Sequence, residues 1–187
     1  RDNHAQAFAG GFYKGSGTLN VNYSTISGNR TDNSGGGFTL NYATTSLIDT
    51  TITGNYANGS GGGFYARAGM SVFNSTISGN IANSIGGGFW INKLNATLTN
   101  SIVAGNSASS DVEFVCTAQS NGASSVTADH SLIEDSYACT GGGTFTGSNN
   151  ILGQDPRLGP LAHYGGPTQT LALLPGSPAI DAGQNST

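Results

Sequence analysis

The sequence predicts an all-β chain wound into a right-handed parallel β-helix, a solenoid of roughly 25-residue, three-strand coils. Two observations carry this. Two unrelated motifs repeat on one beat, and each period contains three short stretches of alternating polarity. The first motif reads Ser24-Thr-Ile-Ser-Gly-Asn29, Thr50-Thr-Ile-Thr-Gly-Asn55, Ser75-Thr-Ile-Ser-Gly-Asn80 and Ser101-Ile-Val-Ala-Gly-Asn106. Its glycines, Gly28, Gly54, Gly79 and Gly105, stand 26, 25 and 26 residues apart. The second motif, Gly-Gly-Phe, ends at Phe12, Phe38, Phe64 and Phe89, at spacings of 26, 26 and 25.

Within one unit the alternating stretches are Gly63–Ala66, Met70–Phe73 and Ser75–Ser78. Period-2 alternation, Gly runs and β-branched residues exclude paired helices. A single three-strand coil cannot bury its own apolar face, so it must stack on its neighbours. Stacking sets Phe12, Phe38, Phe64 and Phe89 in one inward column. Ile26, Ile52, Ile77 and Val103 form a second, and Val21, Leu47, Val72 and Leu98 a third. Strands about 4.8 Å apart make each column a continuous apolar ladder. Asn29, Asn55, Asn80 and Asn106 recur at one corner, where stacked amides can hydrogen-bond along the axis. They read as a structural ladder, not a ligand site.

Composition bounds the function. Charged residues make up 9% of the 187 residues, against about 25% in an ordinary domain. The 36% hydrophobic content, placed at regular intervals, separates the chain from a disordered Gly/Ser-rich one. The net charge is −4, and the six Lys and Arg are scattered, so no basic stripe offers itself to nucleic acid. No apolar run approaches the about 18 residues of a membrane span, and no signal peptide is visible. The chain opens at Arg1 inside repeat sequence, so a mature fragment or an excised piece of something longer is expected.

Residues 1–148 read as coils, about five or six of them, regular to about 106 and irregular with a disulfide over 107–148. Cys116 and Cys139 are 23 residues apart, close to one repeat, which sets them on adjacent coils. An even count in an exported chain favours a bridge, worth about 3 kcal/mol by loop closure. Residues 149–187 hold all five prolines. Such a segment cannot extend the coil and is expected to fold over the last one as a C-terminal cap.

The runs Asp155-Pro-Arg-Leu-Gly-Pro-Leu-Ala162, Gly165-Gly-Pro-Thr-Gln-Thr170 and Leu173-Leu-Pro-Gly-Ser-Pro-Ala-Ile-Asp-Ala-Gly183 resemble the choice-of-anchor Q domain of bacterial surface proteins. The preceding repeats resemble right-handed parallel β-helix surface proteins and, more loosely, the Gly-Gly-Ala-Ile repeats of chlamydial polymorphic outer-membrane proteins. The resemblance implies an extracellular or cell-surface protein whose anchoring signal lies outside the fragment. It carries no catalytic residue set.

Chemistry was sought in the remaining polar residues. Glycoside hydrolysis needs paired carboxylates. The regular coils offer only Asp32 and Asp49, at different points of the coil, so no enzyme and no cofactor is expected. Asp111, Glu113, Asp129, Glu134 and Asp135 gather later with His130, but no calcium-loop pattern accompanies them, and a solvated face is the reading. His163 and Tyr164 read as structural. Thr25/Ser27, Thr51/Thr53 and Thr76/Ser78 would form a flat hydroxyl array of the kind that orders water and binds ice. β-Propensity already explains those residues. Tyr13, Tyr65 and Trp90 each follow an inward Phe, so they point outward as an aromatic stripe suited to stacking on sugar rings, broken at Thr39. An uncapped first coil could stack on a second copy. The sequons at Asn22, Asn29, Asn58, Asn74, Asn95 and Asn185 matter only in a host that glycosylates them. The expected function is a non-catalytic surface or adhesion module whose partners are surface glycans or other copies of the chain.

Overall fold

The computed structural model describes residues 1–110, 113–117 and 124–184. The chain is a parallel β-helix of about five turns. The Phe column runs through the strand starts Phe12, Phe38, Phe64, Phe89, Phe114 and Tyr137, each paired in parallel with the next. A second column holds Met70–Phe73, Ala96–Thr99, Ser125–Asp129 and Thr144–Ser148. In the first two coils both columns are spanned by single strands, Phe12–Asn22 and Phe38–Ile48, so they form one sheet. The Thr-Ile-Ser segments make a separate six-stranded sheet from Thr25–Ser27 to Ile151–Leu152. The last of these strands lies just past residue 148.

A further column was not read from the sequence. His4–Ala5, Arg30–Thr31, Tyr56–Ala57, Ile81–Ala82 and Ser107–Ala108 form their own five-stranded parallel sheet. Strands of two residues are too short to show alternation. Their backbone explains the glycine pairs. A Cβ added at Gly62 would fall 2.6 Å from the backbone nitrogen and carbonyl carbon of Ile81, on the adjoining coil. Only glycine allows that approach.

The inward columns occur as expected. Phe12, Phe38, Phe64 and Phe89 stack with ring centroids 4.9 Å apart. Phe114 and Tyr137 continue the pile at 4.8 and 5.3 Å. Val21, Leu47, Val72 and Leu98 are in register, as are Ile26, Ile52, Ile77 and Val103. Another inward column runs Leu40, Ala66, Ile91, Cys116 and Cys139. The two cysteines are direct register partners, bridged, with Cα atoms 4.5 Å apart. Lys14 occupies this column's place in the first coil, opposite Leu40.

Two polar ladders brace the corners. In the first, the Asn29 side-chain amide donates to Asn55 Oδ1 at 3.0 Å, Asn55 to Asn80 at 2.9 Å and Asn80 to Asn106 at 2.9 Å. The backbone N–H of each also donates to the next Oδ1. Asn55, Asn80 and Asn106 each give their second amide proton to a carbonyl on the preceding coil. Asn3 extends the ladder at the first coil. All four predicted members are buried, so burial cost is met by complete pairing. The second ladder was missed. The N–H groups of Thr50, Ser75 and Ser101 donate to the hydroxyls of Ser75, Ser101 and Ser131. The signal was present: the Ser or Thr that opens every Ser-Thr-Ile-Ser motif.

The C-terminal segment departs from expectation. It does not fold over the last coil. Leu158–Ala162 and Thr170–Leu173 form an antiparallel hairpin that runs back along the flank of the Thr-Ile-Ser sheet. Thr25 Oγ donates to the Gln169 carbonyl at 2.6 Å, and the Thr51 and Thr170 hydroxyls meet at 3.1 Å. Near its end the segment returns to the fourth coil, where Asn100 and the Gln184 backbone exchange two hydrogen bonds. The reason is chemical: the flank offers outward hydroxyls and amides that satisfy a hairpin's backbone, whereas the end of the last coil is lined by Tyr137 and Phe145.

Candidate functional site

The outward row next to the Phe column is Tyr13, Thr39, Tyr65 and Trp90, in register across four coils. Alternation forces it outward, because each residue follows an inward Phe. Tyr65 and Trp90 stack with centroids 4.7 Å apart and planes 28° from parallel. Trp90 is held by an indole N–H bond to the Thr117 hydroxyl at 3.1 Å. The Tyr65 hydroxyl accepts from the Asn92 side chain at 3.2 Å. Burial raises the Tyr65 pKa, opposed by Asn92 and by the nearby Arg67 charge.

The break at Thr39 shapes the site. Thr39 is small and buried, and its hydroxyl turns down to the Ser34 carbonyl. Tyr13 on one side and Tyr65 on the other then stand two strand spacings apart, about 10 Å. The gap is a groove of about 310 Å³. Its aromatic members are Phe8, Tyr13, Tyr65 and Trp90; its polar ones include Asn33, Asn41 and Arg67. Phe8 lies 5.2 Å from Tyr13 and extends that wall. Thus the stripe expected from the sequence is real, but it is a walled groove and not a flat row. Phe8, Asn41 and Arg67 were not anticipated. Asn41 and Arg67 sit two residues beyond Thr39 and Tyr65, and that spacing of two was the available signal.

The acidic residues do not converge. Asp32 meets His4 at 3.2 Å on the surface. Asp49 and His130 hold left-handed corner positions at φ 50°. Asp129 accepts from the Ser148 hydroxyl and N–H, which hold its carboxyl below the usual range. Asp135 accepts the N–H of Ser136 on the surface. Glu134 is raised by burial. Asp111 lies outside the described residues. Among the described residues, no three His, Cys, Asp or Glu side chains are placed to hold a metal.

Glu113 is the exception to the solvated reading. It is fully buried and ends the Asn ladder. The next coil has Ser136 where an Asn would follow, and Glu113 takes up the free amide instead. Asn106 Nδ2 donates to Glu113 Oε2 at 2.6 Å, while Oε1 has no partner. Burial pushes its pKa up to about 7; Glu134 and Asp135 add to the rise and the Asn106 bond opposes it.

The hydroxyl array on the Thr-Ile-Ser sheet is not an open face. The hairpin occupies its Thr25 and Thr51 end, and Thr51 is buried. His163 and Tyr164 lie exposed in the hairpin's connection, with the Tyr164 hydroxyl donating to the Pro160 carbonyl.

Among known proteins, no family model, no curated protein and no solved structure matches this chain. The class defined here is therefore the parallel β-helix, recognised from the stacked coils alone.

Proposed function

We propose that this chain is a non-catalytic extracellular adhesion module that binds glycans through the Tyr13–Trp90 groove. The groove carries the reading: two partly exposed aromatic walls separated by about two strand spacings, with amide groups beside them. Sugar rings present apolar faces to aromatic rings and hydroxyls to amides, and pockets that fix orientation pair apolar walls with a few polar groups. The bridged Cys116–Cys139 pair supports an oxidising, extracellular setting. The likeness of the C-terminal runs to choice-of-anchor Q domains supports display at a bacterial cell surface. End-to-end assembly is the weaker reading, because a coil stacked on the first one would meet Lys14 in an otherwise apolar column. Charges so placed are a known device against edge pairing.

A glycan array tests the proposal. The intact chain is expected to bind a restricted set of glycans. Trp90→Ala should weaken that binding at least about tenfold, since a base-like stacking partner is worth on the order of 1–3 kcal/mol. Tyr13→Ala, at an exposed position, should weaken it without disturbing the fold. A chain that binds no glycan, or binds equally after both substitutions, would refute the reading.

A further inference from the structure

We infer that the groove selects glycans carrying an anionic sugar, whose carboxylate pairs with Arg67; this rests on the glycan reading above. Arg67 is the only charged side chain lining the groove. Its position is fixed by the backbone, since its N–H donates to the Leu40 carbonyl at 2.8 Å, directly after the Phe64–Ala66 strand. It stands two residues past Tyr65 and on the same outward side, so an aromatic platform and a cation occupy one face of one coil.

Nothing in the described chain neutralises it. The ion pairs present join Arg1 to Asp2 and His4 to Asp32. The Arg67 Nε is enclosed and has no hydrogen-bond partner. A solvated surface arginine leaves Nε to water. A partly sheltered one without a partner has donors to offer. Guanidinium is planar and meets a carboxylate with two parallel N–H bonds, a geometry Lys cannot copy. The chain as a whole carries −4, yet this groove has a positive charge and no acid in its lining. That local inversion of sign favours an acidic ligand over a neutral one. Asn33 and Asn41 remain for the sugar hydroxyls, and Tyr65 supplies a stacking face beside the fork.

The test uses a panel of uronate-containing oligosaccharides, each paired with its carboxyl-reduced neutral form, titrated calorimetrically against the intact chain. The acidic member of a bound pair should bind at least tenfold more tightly at 50 mM salt, with the preference narrowing at 500 mM as screening grows. Arg67→Gln should abolish the preference while leaving binding of the neutral form within about twofold. Arg67→Lys, which keeps the charge but loses the fork, should restore only part of it. Equal binding of both members by the unaltered chain, or a preference that survives Arg67→Gln, overturns the inference and leaves the glycan reading standing. Failure to bind either member of any pair, or any neutral glycan, removes the glycan reading and this inference with it.

Discussion

Asn80→Ala is expected to destabilise the chain by about 4 kcal/mol, the loss of several satisfied buried groups at once. The substitution strips the Asn55 N–H and one Asn55 amide proton of their acceptor, Asn80 Oδ1. It also leaves the Ile52 carbonyl without its donor. Each group lies inside the solenoid, where an unpaired donor or acceptor costs about 1–3 kcal/mol. The cavity left by the amide adds to this. Asn83→Ala is the comparison, because Asn83 makes a single exposed amide contact to Asn58. It should cost no more than about 0.5 kcal/mol. Urea denaturation of the two variants measures the difference. Similar midpoints would mean that the ladder is ornamental and that the apolar columns alone hold the coils in register.

Glu113→Gln is expected to stabilise the chain above neutral pH and to leave it unchanged in acid. The folded chain holds the Glu113 proton up to about pH 7, whereas the unfolded chain releases it near 4.5. Between those values the folded state binds more protons than the unfolded one, so stability falls as pH rises through the window. At pH 8 the full penalty applies, on the order of 3 kcal/mol for a shift of that size. Gln keeps the shape and can still accept from Asn106. Its amide replaces the unpartnered Oε1, so part of the cost persists and the gain should be about 2 kcal/mol. At pH 4 the two proteins should agree within about 0.5 kcal/mol. Glu134 is also raised, so a smaller slope should survive the substitution. Thermal melts at half-unit pH steps would show this. An unchanged slope would mean that Glu113 is solvated or paired in solution.

The solenoid was legible because its constraint is repetitive. Phe38, Phe64 and Phe89 must fill the same place in successive coils, so they recur on one beat, and so do Asn55, Asn80 and Asn106. What repeats only weakly was missed. The Arg30–Thr31 column is two residues long and hides between a glycine turn and a polar loop. Phe114 and Tyr137 continue the Phe pile, but coils of changed length put them off the 26-residue beat. The hairpin's course along the flank depends on Thr25, Thr51 and Asn100, more than 80 residues away from their partners. No local pattern encodes such a contact. At the groove, the aromatic stripe was visible while its depth was not. Thr39 read as a gap in a row, and its meaning came only when its hydroxyl was found turned inward with Tyr13 and Tyr65 left standing on either side. Glu113 was counted among solvated acids, because burial of one carboxylate by a truncated ladder leaves no mark in sequence.

Trp90 is the only tryptophan in the chain and lies in the groove, so its fluorescence reports on that site alone. Titrating the intact chain with the glycans it binds, while following Trp90 emission, tests the central claim most directly. The account predicts a saturable change in emission whose midpoint matches the binding constant and which is lost in Tyr65→Ala, where the ring stacked on Trp90 is removed. Saturable glycan binding with Trp90 emission unchanged would place the ligand elsewhere on the solenoid and contradict the groove as the site.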